Sequence, residues 1–242
     1  AHCAAMGQKT VEIFFNAGSE LSGPVFRQIL ELKDRYGILV PALHPFTSFA
    51  EGYFLFTRYE RRFQDARDFY KRYFEAAQTL GAAVVTLHGD TKGALPLEGY
   101  CERYHILRED AKPFGVRLAQ ENVVHYRSGQ PGFALQMRDC LKEDVDFVFD
   151  VKQAVRSGCD PFEVLGEMGK RVCHVHLSDH NPQHDCMVPG RGTFDFSRLF
   201  RELKGMEYHG SLVVELYREN FEGEEEIERA VQWLQRIVQK ET

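Results

Sequence analysis

The chain has 242 residues, 43% of them apolar and 27% charged, with a formal net charge of −6. No apolar run approaches the ~20 residues of a membrane-spanning helix, and the acidic balance argues against a nucleic-acid partner, whose binding surfaces are basic. Six cysteines without a CxxC pair argue against a zinc ribbon and fit the reduced thiols of a cytoplasmic protein.

Ala1-His-Cys-Ala-Ala-Met-Gly7 reads as the end of a helix closed by glycine. Residues 11–15 are predicted as a strand ending at Asn16, and Pro24 opens a helix running to Tyr36. A second strand over 38–43 ends at His44, and an aromatic loop carrying Tyr53, Phe54, Phe56 and Tyr59 follows. Residues 60–80 have helical periodicity, with Phe63, Ala66, Phe69, Tyr70, Tyr73, Phe74 and Ala77 on one stripe. A third strand, 82–87, ends at His88. After a helix over 97–114, a fourth strand over 115–119 ends at Gln120-Glu-Asn122. A loop and short helix lead to Lys142, and a fifth strand over 145–149 ends at Asp150. Asp160 is placed to cap a helix over 161–169. Val172, Cys173, Val175 and Leu177 form a buried strand that also carries His174 and His176. A loop from His180 to Gly192 and a helix over 196–203 follow. A seventh strand, 211–214, ends at Glu215, and an amphipathic helix over 223–240 begins with Glu224, Glu225 and Glu226.

This alternation predicts an α/β fold with a parallel sheet in one domain over residues 1–242. A closed (β/α)8 TIM barrel has eight strands. The helix-like opening residues lead us to expect a first strand and most of its helix upstream of this chain. A doubly wound open sheet is the rival, but no glycine-rich turn after a strand supports it.

Six polar residues stand one position beyond a buried apolar run: His44, His88, Glu121, Asp150, His176 and Glu215. In a barrel such strand ends converge on one rim. Glu121, Asp150, His176 and Glu215 give a mixed oxygen and nitrogen set suited to one divalent ion, Mn²⁺, Mg²⁺, Co²⁺ or Zn²⁺. His174 is assigned to the helix layer as support, and Asn122 to orienting Glu121. Pro189-Gly-Arg-Gly192 is read as a tight turn that holds Arg191 near the rim, beside His180, Asn181 and His184.

Gln120-Glu-Asn122, Phe149-Asp150, His174-Val-His-Leu-Ser-Asp179, Val188-Pro-Gly-Arg-Gly192 and Val213-Val-Glu215 together resemble the sugar phosphate isomerase/epimerase group. These are xylose isomerase-like barrels, related to endonuclease IV-type apurinic endonucleases. The resemblance implies a metal held by Glu121, Asp150, His176 and Glu215, with Glu121 and Glu215 also serving as acid and base. A histidine that binds substrate three residues after the Asp in ketose epimerases is here Gln153. The nuclease branch's Asp-x-His before Pro-Gly is here His184-Asp-Cys186, which favours one metal over three zinc ions.

The implied activity is isomerisation or epimerisation of a small sugar or polyol, phosphorylated or not, by proton transfer through a metal-stabilised enediolate. His44, His88, Gln153, His180 and Arg191 are the expected substrate-binding residues. An inosose-type dehydratase is the alternative, and a nuclease a third reading. No membrane partner is expected, and a homo-oligomer is left open.

Overall fold

The computed structural model describes residues 2–91 and 93–241; Ala1, Lys92 and Thr242 lie outside the described residues. A short helix α1 (His2–Ala5) is followed by Gly7 at φ 71°, then β1 (Ile13–Phe14), α2 (Gly23–Tyr36), β2 (Ala42–His44) and α3 (Glu51–Phe54). The long α4 (Glu60–Leu80) leads to β3 (Val84–Leu87), α5 (Leu97–Ala111), β4 (Arg117–Glu121) and α6 (Phe133–Cys140). β5 (Asp146–Asp150) runs directly into α7 (Val151–Arg156), followed by α8 (Pro161–Met168) and β6 (Val172–Leu177). A hairpin of β7 (Asp179–Asn181) and β8 (His184–Met187) precedes α9 (Phe196–Gly205), β9 (Ser211–Val214) and α10 (Glu224–Glu241).

β1 to β6 and β9 pair in sequence order, all parallel, in one seven-stranded sheet. Each crossover places a helix outside a curled sheet, which is TIM-barrel-like. The main apolar core lies between sheet and helices and includes Leu43, Val85, Leu118, Phe147, Phe149 and Val175 against Phe63, Tyr73, Leu107 and Leu165. Two edges remain, β1 and β9. Between them runs a groove of about 780 Å³ lined by residues of α1, β1, β9 and α10, including Glu12, His44 and Glu215.

The inward face carries a separate small cluster, Ala42, Val84, Ala119, Val148 and Cys173. Side chains two residues apart on a strand share a face. One step above this floor, on the same face, stand His44, Thr86, Glu121 and Asp150. The sequence therefore changes from small apolar to polar at one level of the barrel, and that level is the site. On β6 the register with β5 slips between Phe147 and Val148, which pair with Val172 and His174 respectively. Cys173 is the extra residue of this bulge.

Candidate metal centre

Glu121, Asp150, His176 and Glu215 come together as expected from their strand-end positions, with one ligand atom from each lying within 4.8 Å of the others. His176 is the hub. Its Nδ1 stands 2.9 Å from Glu121 Oε1, 3.0 Å from Glu215 Oε2 and 3.6 Å from Asp150 Oδ2. Glu121, Asp150 and His176 are almost fully buried, and Glu215 is half-buried.

Three oxygens of this set, Glu121 Oε2, Asp150 Oδ2 and Glu215 Oε2, are buried and have no hydrogen bond of good geometry, although His88 Nε2 stands 2.9 Å from the first and Lys152 Nζ 3.3 and 3.2 Å from the other two. Buried carboxylate oxygens that lack well-aligned donors are costly, and a divalent cation would offset that cost. The donor set therefore fits a metal ion: three hard oxygens and one imidazole nitrogen, with positions left for other oxygen ligands.

Burial drives the Asp150 carboxyl up to about 6 against the opposing pull of Lys152. Burial also acts to raise Glu121, but the surrounding imidazoles of His176, His44 and His88 overcome it and hold that carboxyl well below the ordinary range. Asp150 has a second task. Its Oδ1 accepts from the backbone N–H of Gln153 at 2.9 Å and so caps α7.

His44 and His88 form a second group around Glu121. His88 Nε2 lies 2.9 Å from Glu121 Oε2 and 3.2 Å from His44 Nε2, and His44 Nε2 is 3.7 Å from the same oxygen. Phe14 stacks on the His44 ring at 4.8 Å, and Ser48 Oγ is 3.3 Å from His44 Nδ1. These three side chains are also disposed to share a cation.

The surrounding shell contains residues that the strand-end pattern did not reveal. Glu12, just before β1, places Oε2 2.8 Å from His174 Nε2 and 2.9 Å from His176 Nε2. His174 therefore faces inward, not into the helix layer: it is two residues from His176 on one strand, and such residues share a face. Glu51 is buried on α3. It accepts from the N–H groups of His88 (2.7 Å) and Gly89 (2.6 Å) and from Tyr70 Oη (2.5 Å), which fixes the backbone that carries His88. Lys152, 2% exposed, stands 3.3 Å from Asp150 Oδ2 and 3.2 Å from Glu215 Oε2. In each case the signal was one charged residue inside an otherwise apolar or helix-forming stretch.

Other assignments change. Asn122 holds Asp150 rather than Glu121: its Oδ1 accepts from Asp150 N at 2.8 Å, and its Nδ2 donates to Asp150 O at 2.9 Å. Gln153 commits its side-chain oxygen to the N–H of Val124 at 3.1 Å. The loop expected after β6 is the β7–β8 hairpin. Beyond it, the turn through Gly192 is organised by Asp179 and does not hold Arg191 at the site. Asp179 is buried and accepts from the N–H groups of His180, Gly190, Gly192 and Phe194 at 2.8–3.0 Å. A Cβ on Gly192 would stand 2.4 Å from Asp179 Oδ1, and Gly190 adopts φ 89°. Arg191 itself is exposed and faces Glu226 of α10 at 3.4 Å. The His180 ring packs near Phe194 at 5.7 Å.

A family model described as xylose isomerase-like TIM barrel matches residues 1–237. The chain belongs to the xylose isomerase-like TIM barrel family. Within this family, an inosose dehydratase of Geobacillus kaustophilus is 28% identical over 144 residues, which span 49% of this chain and 44% of that protein. An uncharacterized protein of Mycobacterium leprae is 25% identical over 171 residues, 60% of each chain. The chain thus spans about half the length of the curated relatives it matches. Among solved structures, an L-ribulose 3-epimerase superposes with a TM-score of 0.79 at 15% identity, covering 99% of this chain and 87% of that one. A D-allulose 3-epimerase of a Methylomonas species in complex with D-allulose gives 0.77 at 14%, covering 97% and 88%. At these identities the superpositions show the fold that xylose isomerase-like barrels share. No helix among the described residues is long and apolar enough to cross a membrane.

Proposed function

We propose that this chain is a divalent-metal-dependent isomerase or epimerase of a small sugar or polyol, free or phosphorylated. The observation that carries the reading is the convergence of Glu121, Asp150, His176 and Glu215, with three of their oxygens buried and lacking hydrogen bonds of good geometry. These four residues would hold one divalent ion, Mn²⁺, Mg²⁺, Co²⁺ or Zn²⁺, which would supply Lewis acidity to the reaction.

The protein supplies the proton handling. Glu121 and Glu215 are the acid–base pair: one carboxylate takes the proton from the carbon beside the carbonyl, and the other delivers a proton to complete the exchange. His44 and His88, beside Glu121, offer ring nitrogens to substrate hydroxyls. Glu12 and Glu51 touch no substrate in this scheme; they hold His176 and His88 in position. His180 and Arg191 belong to the outer rim, and Gln153 serves the frame around Asp150. The groove between β1 and β9, lined by Glu12, His44 and Glu215, is an approach to the site.

The inosose dehydratase relative favours a second reading with the same residues. In a dehydratase the carbanion formed by proton removal expels a neighbouring hydroxyl, which takes a proton from the second carboxyl and leaves as water, instead of being reprotonated. A metal analysis of the purified protein, followed by product analysis on a panel of ketoses and inososes, tests both. On a substrate so found, Glu215→Gln is expected to lower kcat by at least ~10³-fold with the fold intact, metal content being measured in parallel. Unchanged turnover would remove Glu215 from the mechanism.

A further inference from the structure

Lys152 is a buried cation at the centre that the proposed chemistry does not use. It lies on the first turn of α7, two residues after Asp150, with a side chain 2% exposed. Its Nζ approaches Asp150 Oδ2 at 3.3 Å and Glu215 Oε2 at 3.2 Å. These are two of the three buried oxygens that have no hydrogen bond of good geometry. The ammonium therefore stands at the atoms a divalent ion would use. Behind it the Tyr217 ring lies 4.8 Å from Nζ. Arg156 fixes that ring by donating to Tyr217 Oη at 2.8 Å while pairing with Asp185 of the hairpin at 2.7 Å. Lys152 is thus walled in from the solvent side.

We propose that Lys152 is a resident counter-cation of the centre, and that it limits affinity for a divalent ion by competing for the oxygens of Asp150 and Glu215. The proposal rests on the reading of Glu121, Asp150, His176 and Glu215 as metal ligands. In metal-free protein the ammonium offsets part of the repulsion among three clustered carboxylates. With a divalent ion bound, ion and ammonium together balance those three charges. The ammonium thereby weakens retention of the ion relative to a centre without it.

The test is titration of wild-type protein and Lys152→Met with Mn²⁺, followed by calorimetry and by the electron paramagnetic resonance signal of free Mn²⁺. Thermal unfolding is measured with and without the ion. The variant is expected to bind Mn²⁺ at least ~10-fold more tightly, because a positive charge within a few ångströms of the ion has been removed. It should also unfold at a lower temperature than wild type without Mn²⁺, and gain more from its addition. Binding by both proteins with equal or weaker affinity in the variant overturns the role of Lys152 and leaves the metal centre standing. Binding by the variant alone supports the role of Lys152 and overturns metal dependence of the wild-type protein. Binding by neither overturns both. If Lys152→Met does not fold, Glu215→Gln is compared with the charge-balanced pair Lys152→Met/Glu215→Gln, and the same tightening is expected.

Discussion

Glu12 Oε2 lies 2.9 Å from His176 Nε2, on the opposite edge of the imidazole from the 2.9 Å approach of Nδ1 to Glu121. A ligating imidazole that donates its second N–H to a carboxylate is held in one tautomer and one orientation. Glu12 also receives His174, so one acid fixes two rings. Glu12→Ala is expected to leave the barrel folded and to weaken Mn²⁺ or Co²⁺ binding by ~10- to 100-fold, as read by calorimetry. Equal affinity in variant and wild type would show that the ring needs no such anchor.

A second prediction concerns the turn behind the site. Asp179 accepts four backbone N–H groups from one buried position. Asp179→Ala leaves those donors without partners, and each unsatisfied buried donor costs roughly 1–3 kcal/mol. Water reaching the vacated space satisfies part of them, so a net loss of about 3 kcal/mol is expected in denaturant unfolding. Gly192→Ala should lose stability as well, since its Cβ would meet both Asp179 Oδ1 and His180 O, at 2.4 and 2.3 Å. A loss below ~0.5 kcal/mol in either variant would show that the turn is held elsewhere.

Glu51 yields a prediction in pH. Burial raises its carboxyl from 4.5 to about 7, against the lowering influences of His88, Tyr70 and the Gly89 N–H. The folded protein therefore holds a proton that the unfolded chain has already released. The associated stability is fully present below pH 4.5 and is lost as pH rises through about 7. Glu51→Gln removes this titration. The unfolding free energy of the variant relative to wild type should shift in the variant's favour by about 3 kcal/mol between pH 4 and pH 8. Parallel stability curves for the two proteins over that range would contradict the assignment.

The acid–base pair can be separated from its frame. Glu121→Gln retains a side chain able to bond His176 but cannot carry the charge that His88 and His176 face. Loss of turnover by at least ~10³-fold is expected on any substrate that wild type converts. Far-ultraviolet circular dichroism should remain that of the wild type. Full activity in this variant would leave Glu215 without a partner in proton transfer.

Much of the barrel was legible because its pattern is strong. The stripe from Phe63 to Ala77 predicted a helix over 60–80, which is the extent of α4, and the apolar run at Ser211–Val214 is β9 itself. The convergence of Glu121, Asp150, His176 and Glu215 was legible because each stands at the end of a buried run. α7 was not, because its six residues are too few to establish a helical period and its cap, Asp150, was already assigned to the metal. The β7–β8 hairpin was hidden by its polar composition, His-Asn-Pro-Gln-His-Asp over residues 180–185. Glu12 carries a signal of its own. It is a lone acid between Val11 and Ile13 at the entry to β1 of a parallel sheet, where both faces are normally covered and an inward charge needs partners.

Asp150 has consequences for denticity. Its Oδ1 is engaged by the first turn of α7, which leaves Oδ2, beside Lys152, as the oxygen a cation would use. Binding a cation through both oxygens would uncap the helix that also carries Lys152. Glu121 is divided in the same way, with Oε1 towards His176 and Oε2 towards His88. Large ions that gather six to eight oxygens through two-toothed carboxylates, as Ca²⁺ does, are therefore poorly served. Small ions content with single-oxygen contacts would suit these carboxylates better.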